Sequence, residues 1–243
     1  LDGDPGTTGD NGTISQSFTV NVGSGNDLPT ISAISNQVID EDIGTGVISF
    51  TVEDIESVSS DLVVTASSSN TALVSASGIV LSGTMENRTV EITPVGNASG
   101  TTSITLTVTD PDGGSVNVTF TVTVDPVNDA PTLAAISDPA VIAEDAGAQT
   151  ISLTGISAGG GESQTLAVTA VSGNPGLIPD PTVSYTSPGT TGSLSYTPLA
   201  NQFGGAIITV TIADPGLDGV LITESDNQTL VRTFTVTVGA VND

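Results

Sequence analysis

Cysteine, histidine, tryptophan and lysine are all absent from the 243 residues, and Arg88 and Arg232 are the only cationic side chains. Without cysteine the chain can form neither disulfides nor zinc–thiolate sites. Without histidine it lacks the usual general base and any Ser-His-Asp triad. Adjacent acids such as Glu41 and Asp42 could act in a glycosidase, but only two tyrosines are available to stack on a sugar. The sequence therefore predicts a protein that is not an enzyme.

Positive charge is almost missing, since 27 Asp and Glu residues outnumber two cations and give a formal charge of −25. Nucleic acid is not an expected partner, because lysine or arginine must neutralise its phosphates. Anionic lipid would repel the chain. No apolar run reaches the roughly 18 residues that a membrane helix needs. We therefore expect neither nucleic-acid binding nor direct membrane insertion.

Alternating aliphatic and threonine residues dominate what is present. Runs such as 104–108, 116–124, 210–212 and 234–238 place one face on a core and the other in water. Turn signals recur every 8–12 residues, and no segment of helical length shows a 3.6-residue period. The sequence predicts an all-β protein built from antiparallel β-sandwiches of about seven strands each. A Thr-, Val- and Gly-rich composition without lysine is also typical of secreted β-proteins.

An internal repeat divides the chain. An Asn-Asp marker occurs at residues 26–27, 128–129 and 242–243, and the features between markers recur in the same order. We therefore expect two domains, residues 28–129 and 130–243, with residues 1–27 outside both.

Residues 1–27 align without a gap onto residues 217–243, which form the end of the second repeat. They are expected to be the last strand of a preceding domain, because a lone strand cannot bury its apolar face. One interpretation is that the chain is an excerpt of a longer tandem array. The other is that this strand completes a sheet in a neighbouring subunit and so builds a filament.

Acidic residues gather at turns that a sandwich would bring to one junction. At about 5 Å and an effective dielectric of about 20, each pair of carboxylates would repel by roughly 3 kcal/mol. Because the chain has almost no cationic side chains, a bound cation is the expected compensation, and an all-oxygen site favours Ca²⁺. The alternative is that these are ordinary solvated turn residues. The candidate ligands of this junction are Glu41, Asp42, Asp125, Asn128, Asp129, Glu162 and Asp214.

The linker at 125–131 resembles the Asp-x-Asn-Asp-x-x-Pro pattern between cadherin domains, with one extra residue after the first Asp. Together with Glu-Asp-x-Gly, Thr-Pro-x-x-Asn and Asp-Pro-Asp-Gly-Gly, it is similar to the cadherin-like, Ig-like repeats of large bacterial surface proteins and adhesins. The resemblance implies Greek-key sandwiches joined by calcium into a stiff stalk. Residues 23–27 and 239–243 depart from this pattern because they lack the leading Asp, so these junctions are expected to hold fewer ions. The further ligands that it suggests are Asn26, Asp27, Glu53, Asp54 and Asp110.

These observations predict an extracellular structural segment of a bacterial surface protein, with neighbouring repeats of the same chain as its partners and Ca²⁺ as its cofactor. A self-assembling fibre or sheath subunit, in which residues 1–27 are shared between identical copies, is the main alternative. A third alternative is a module that binds a glycan or a protein through a loop at one end. The insertion at residues 218–228 is expected to lengthen a hairpin or to form a lateral contact.

Overall fold

The computed structural model describes residues 15–21, 23, 25–220 and 226–242. These residues form strands, connecting turns and a single short 3₁₀ helix at Ala76–Gly78. The strands are β1 Thr30–Ile31, β2 Gln37–Asp40, β3 Val47–Glu53, β4 Val63–Ser68, β5 Ile79–Thr84, β6 Asn87–Ile92, β7 Gly100–Thr109, β8 Ser115–Asp125, β9 Ile142–Ala143, β10 Gln149–Thr154, β11 Ala167–Ser172, β12 Thr182–Ser184, β13 Thr191–Tyr196, β14 Gly204–Asp214 and β15 Gln228–Gly239. The all-β prediction is confirmed.

The first sandwich packs two four-stranded sheets, with strand orders β1-β3-β6-β5 and β2-β8-β7-β4. The opening segment is split between them, since β1 pairs antiparallel with β3 while β2 pairs parallel with β8. This switch places the turn after β2 beside the end of β8, where the chain leaves the sandwich. Glu41 and Asp42 occupy that turn.

The second sandwich repeats this plan with strand orders β10-β13-β12 and β11-β14-β15-β9. An isolated bridge between Thr132 and Ser157 stands where β1 pairs with β3 in the first sandwich. Strand β9 again runs parallel to the last strand, β15. The turn at Glu144 and Asp145 therefore lies beside the end of β15, as Glu41 and Asp42 lie beside the end of β8.

Each pair of sheets encloses its own hydrophobic core, formed by the inward residues of the alternating strands. In the first, Ile104, Leu106 and Phe120 are at most 2 % exposed, and in the second Ile208, Ile212 and Phe234 are equally buried. The outward positions between them carry mainly threonine, which suits a strand with one face in water. Alternation alone thus fixes which face of each strand is buried.

Only part of the first 27 residues is described. Residues 1–14, 22 and 24 lie outside the described residues, and residues 15–21 form no strand. Phe18 and Val20 are 88 % and 67 % exposed, whereas the aligned Phe234 and Val236 are 2 % and 0 % exposed. The apolar pattern of a last strand is present here without a core to bury it.

Candidate metal centre

The chain leaves β8 through a linker that Glu41 holds in place. The backbone nitrogen of Glu41 donates to the Asp125 carbonyl oxygen over 2.9 Å, and Glu41 Oε1 accepts from the backbone nitrogen of Val127 over 2.7 Å. Glu41 is only 7 % exposed, whereas the Asp125 side chain is exposed. At the point where the chain leaves the first sandwich, Asp125 therefore takes part through its backbone carbonyl, whereas Glu41 takes part through its carboxylate.

A second contact joins two turns at the same end of the first sandwich. Asp42 Oδ1 accepts from the backbone nitrogen of Asn97 over 2.9 Å, and both residues have positive φ angles, 62° and 55°. The Asn97 side-chain amide lies between two carboxylate oxygens, 3.3 Å from Asp42 Oδ2 and 3.1 Å from Asp129 Oδ2. With its nitrogen at that position it donates to both. Asn97 therefore connects the first sandwich to the linker.

Asn128 is the centre of the contacts with the second sandwich, and it is 6 % exposed. Its Nδ2 donates to the Asp226 carbonyl oxygen over 3.0 Å, and its Oδ1 accepts from Gln164 Nε2 over 2.9 Å. Its own carbonyl oxygen accepts from Gln228 Nε2, also over 2.9 Å. The linker asparagine is thus held on three sides by the second sandwich.

Asp129 lies against a glycine-rich turn. Its backbone nitrogen donates to Glu162 Oε2 over 3.1 Å. A Cβ added to Gly160 would collide with the Asp129 carboxylate, and one added to Gly159 would lie 2.5 Å from the Ala130 carbonyl oxygen. Both glycines have positive φ angles, 41° and 103°. This turn can approach the carboxylate closely only because it has no side chains there.

Two further acids, Asp214 and Asp226, lie near each other in the second sandwich. Asp214, at the end of β14, is fully buried, and its Oδ1 accepts from the backbone nitrogen of Gly216 over 2.9 Å. Asp226 Oδ2 accepts from the backbone nitrogen of Leu217 over the same distance. Burial raises the pKa of Asp214, and the neighbouring charge of Asp226 raises it further, against the lowering effect of the Gly216 hydrogen bond.

Several buried oxygens around Asn128 and Asp129 accept no hydrogen bond from the described part of the chain. All of them belong to residues that contact the linker or lie next to one that does. Each is an acceptor, so a cation or a donor such as water is needed to satisfy it. We call these five atoms the junction oxygens, and they are Glu162 Oε1, Gln164 Oε1, Asp214 Oδ2, Asp226 Oδ1 and Asn227 Oδ1.

A cavity of about 540 Å³ opens at the same junction. Its lining comes from both sandwiches, with Glu41 and Asn97 on one side and Glu162, Gln164 and Gly216 on the other. The turns that the sequence assigned to one junction therefore do face each other across the linker.

The sequence predicts that acidic turns meet at this junction. Among the described residues, however, no group of three or more acidic side chains is arranged to hold a metal ion. Several of these carboxylates accept hydrogen bonds from backbone N–H groups: Glu41 from Val127, Asp42 from Asn97 and Glu162 from Asp129. Any metal site here must include amide or carbonyl oxygens.

The start of the first sandwich carries a related arrangement. Asn26 Nδ2 donates to Asp110 Oδ2 over 3.0 Å, and the backbone nitrogen of Asp27 donates to Glu56 Oε2 over 3.3 Å. Asp54 Oδ1 caps the following turn, accepting from the Glu56 backbone nitrogen over 3.0 Å, and its Oδ2 is one more buried oxygen without a partner in the described chain. Glu53 ends β3 as an exposed side chain and joins none of these contacts. Glu56, rather than Glu53, occupies the position of Glu162.

Sequence reasoning missed several residues of the junction and its repeats, including Gln228 and Glu56. Asp226 and Asn227 lie in the insertion, which was read only as a longer hairpin or a lateral contact. Gln164 and Asn97 carry no charge and were not considered. Glu144 Oε1 accepts from the Val241 nitrogen over 2.8 Å, as Glu41 does from Val127. The recurring Glu-Asp pair was a usable signal for Glu144, whereas nothing in the sequence indicates that Asp226 folds back onto the linker.

Comparison with known proteins agrees with this architecture. Residues 26–123 match the family model described as a bacterial Ig domain. This part of the chain is similar to that family. The resemblance to cadherin-like, Ig-like repeats is thereby confirmed, and the second sandwich repeats the strand order of the first apart from β1. No curated protein matches the sequence.

Several solved structures are similar to this chain at low sequence identity. A structure of protocadherin gammaB7 domains EC3–6 is 15% identical with a TM-score of 0.50, and the match covers 88% of this chain and 48% of that one. Mouse cadherin-23 EC22–24 is 14% identical with a TM-score of 0.48, covering 90% and 68%. The S-layer protein SbsC domains 4 and 5 are 15% identical with a TM-score of 0.32, covering 77% and 83%. The chain spans about half the length of the protocadherin fragment.

The Ig-like, cadherin-like fold is typical of non-enzymatic structural and adhesion domains, and the bacterial Ig family is consistent with a segment of a surface or extracellular protein. None of the described segments is a helix of sufficient length and hydrophobicity to cross a membrane.

Proposed function

We propose that this chain is a structural extender segment of a bacterial extracellular or surface protein, and that Ca²⁺ bound at the junction holds its two sandwiches at a fixed angle. The observation that supports the ion is the set of junction oxygens, buried acceptors that meet no donor in the described chain. In a chain of charge −25 with two arginines, the protein itself has little positive charge to offer them.

The donor set fits calcium better than other metals. It consists of carboxylate and side-chain amide oxygens, and the chain contains no cysteine or histidine for zinc or copper. Calcium accepts six to eight such oxygens in flexible geometry, whereas Mg²⁺ demands a near-ideal octahedron. Because no three described acids are grouped to hold an ion by themselves, the neighbouring Asp214 and Asp226 would supply the charge, and side-chain amide oxygens such as those of Gln164 and Asn227 would complete the set.

The linker contacts explain how an ion at this place would act on the angle between the sandwiches. Asn128 and Asp129 bond Gln164, Asp226 and Glu162, the same residues that carry free oxygens. An ion that fixes these side chains therefore also fixes the linker. Extracellular calcium modules of this kind bind at about 10⁻⁴ to 10⁻³ M, which suits the millimolar calcium outside cells.

The test is a calcium titration followed by thermal melting and small-angle X-ray scattering. We expect calcium to raise the melting temperature, with a stabilisation of about 1.4 kcal/mol at ten times the dissociation constant, and to narrow the distribution of interdomain distances. Chelator should widen that distribution and expose the linker to protease. Mg²⁺ should substitute poorly.

Matched variants assign the effect to the junction. Glu162→Gln and Asp214→Asn should each reduce the calcium-induced rise in melting temperature. Glu91→Gln removes the same charge from an exposed position in β6, so it should leave that rise unchanged. Scattering profiles that are identical with calcium and with chelator would contradict the proposal, as would an equal loss of response in Glu91→Gln.

A second candidate function is supported by residues 15–21. Their exposed Phe18 and Val20 correspond to core residues of β15, so we propose that this segment is the last strand of a neighbouring sandwich, either in the same chain or in another copy. If the strand is shared between copies, the chain should assemble with rising concentration, and deletion of residues 1–27 should abolish that assembly. Assembly that survives the deletion would rule out strand sharing as its cause.

A further inference from the structure

The first sandwich leaves no buried acceptor without a donor at the junction. Glu41 Oε1 accepts from the linker backbone, and Asp42 Oδ1 accepts from Asn97. Among the described residues of this sandwich, the one buried side-chain oxygen without a hydrogen bond is Asp54 Oδ2, which follows β3 at the opposite end. All five junction oxygens, by contrast, belong to residues 162–227. The acceptors that need a donor or a cation therefore lie on one side of the linker.

Asp214 is the most buried of the described acids, with 0 % of its surface exposed. Its Oδ1 accepts from Gly216, whereas its Oδ2 meets no donor in the described chain. Asp226 lies near enough for its charge to act on Asp214, and its Oδ1 is likewise buried without a donor. Two buried like charges close together are unfavourable unless a cation compensates them. This pair of acids is therefore where a bound cation would gain most.

Asp226 is held in this position by contacts within the second sandwich. Its Oδ2 accepts from the backbone nitrogen of Leu217 over 2.9 Å. Gly216 makes room for the carboxylate, because a Cβ added there would collide with it, and Gly216 has a φ of 71°. The backbone carbonyl oxygen of Asp226 accepts from Asn128 Nδ2 over 3.0 Å. A single residue thus connects the buried pair of acids to the linker.

The corresponding end of the first sandwich has no counterpart of Asp226. Residues 111–114 alone separate Asp110 from the start of β8, whereas residues 215–227 separate Asp214 from the start of β15. Both carboxylate oxygens of Asp110 accept a hydrogen bond. The insertion therefore supplies what distinguishes the two ends, a second carboxylate with a buried oxygen that has no donor in the described chain.

We propose that the second sandwich alone holds the calcium ion, through Asp214, Asp226 and neighbouring amide oxygens, and that Asp226 decides whether this end of a sandwich binds an ion. This inference rests on the proposed function and adds that the first sandwich supplies no ligand, although the sequence nominates Glu41 and Asp42. Because calcium affinity depends on the number of charged ligands, two carboxylates suit binding at the weak end of the calcium range.

An ion held in this way would act on the linker from one side. Fixing the Asp226 carboxylate also fixes the carbonyl of the same residue, and with it the hydrogen bond from Asn128. The first sandwich follows only through its own contacts with the linker, which come from Glu41 and Asn97. Calcium affinity is then independent of the first sandwich, whereas the stiffness of the junction depends on both sandwiches.

The test is isothermal titration of the whole chain with calcium. Asp226→Asn keeps an acceptor for Leu217 but removes one of the two charges, so we expect the dissociation constant to rise about tenfold or more. Asp42→Asn is the matched control, because it removes the same charge from an exposed first-sandwich residue at the same junction. It should change the constant by less than about twofold. Melting in chelator checks that both variants fold as the parent does.

The outcomes separate this inference from the proposed function. If Asp42→Asn weakens calcium binding as much as Asp226→Asn does, the site in one sandwich is overturned while the calcium junction stands. Calcium binding that Asp226→Asn leaves unchanged has the same meaning. A parent chain that binds no calcium would overturn both the proposed function and this inference.

Terbium luminescence locates the ion independently. The chain has two tyrosines and no tryptophan. Tyr185 lines a cavity of about 160 Å³ together with Glu162 and Gln164, whereas Tyr196 ends β13 at the other end of the second sandwich. Because Tb³⁺ is also bound by oxygen ligands, we expect it to occupy the site and to be excited through tyrosine.

Tyr185→Phe should therefore abolish the terbium emission that calcium can displace, and Tyr196→Phe should keep it. Displaceable emission that survives Tyr185→Phe and is lost in Tyr196→Phe would place the ion away from the junction end of the second sandwich, and the inference would be overturned.

Discussion

Asp110 and Asp214 occupy the same place in the two sandwiches, at the end of the penultimate strand and directly before a proline, yet their surroundings are opposite. Asp110 Oδ2 accepts from Asn26 Nδ2, and Oδ1 accepts from the Gly114 backbone nitrogen. The hydrogen bond from Asn26 is the main cause that lowers the pKa of Asp110. Asp214 has only Gly216 as a donor in the described chain, and burial raises its pKa.

The difference originates in the linker asparagine. Asn26 donates to the aspartate of its own junction, whereas the corresponding Asn128 donates to the Asp226 carbonyl oxygen and accepts from Gln164. The insertion that brings Asp226 to the linker thus removes a donor from Asp214 and adds a second carboxylate beside it. In the first repeat, both carboxylate oxygens of Asp110 accept a hydrogen bond. In the second repeat, Asp214 Oδ2 and Asp226 Oδ1 are buried acceptors without a donor in the described chain, and we propose that a cation binds them.

The largest expected effect comes from the glycine turn that shapes the second junction. Gly160→Ala would press a Cβ into the Asp129 carboxylate at a φ of 41°, so we expect a loss of about 1–3 kcal/mol in the free energy of unfolding and weaker calcium binding. The control is Gly147→Ala, since a Cβ there meets no described atom within 4 Å and should change stability by less than about 0.5 kcal/mol. Denaturant unfolding with and without calcium measures both, and equal effects would contradict the close approach.

Smaller changes in melting temperature, opposite in sign, are expected when the charge of Asp110 or of Asp214 is removed and the protein is melted in the presence of chelator. Asp110→Asn should lower the melting temperature by several degrees, because the Asn26 and Gly114 donors lose their charged acceptor. Asp214→Asn should leave it unchanged or raise it, because it removes a buried carboxylate that has one donor in the described chain and lies near Asp226. Two shifts in the same direction would show that the surroundings of the two aspartates do not differ in the way the hydrogen bonds indicate.

The smallest effect is the pH dependence in chelator. Because the pKa of Asp214 is raised on folding, the folded chain binds more protons than the unfolded one just above the ordinary Asp value. The contribution of Asp214 to stability is therefore present at lower pH and is lost as pH rises through its folded pKa. The pKa of Asp110 is lowered, so its contribution is present above the ordinary Asp value and is lost as pH falls through its folded pKa.

Urea unfolding between about pH 3 and pH 7 measures these contributions. Asp214→Asn should remove the fall in stability with rising pH that this residue causes, while Asp110→Asn should remove a rise. Saturating calcium should flatten the Asp214 contribution if the ion is held by its carboxylate. A profile for Asp214→Asn that matches the parent at every pH would count against a raised pKa in the folded state.

Much of the fold could be predicted from local patterns. The alternation of Ile104, Leu106 and Val108 with threonine predicts a half-buried strand wherever it occurs, because successive side chains point to opposite faces. The repeat of Asn26-Asp27 at Asn128-Asp129 predicts the linker, and the strand count predicts that Glu41 and Glu162 approach it from opposite sides. The partners of Asn128 could not be predicted, since Gln164, Asp226 and Gln228 are distant in sequence and two of them carry no charge.

The order of apolar and polar residues by itself determined that this chain is all-β, that it repeats, that its acids gather at the ends of strands and that its sheet faces are largely uncharged. Tertiary structure alone decided which acids receive a donor, because a hydrogen bond needs two atoms about 3 Å apart, to within a few tenths of an ångström, in segments up to 100 residues apart. It also decided that Val171, Ile207 and Val231 lie on the outer face of one sheet, because the pairing of three strands, and not their separate sequences, places them there.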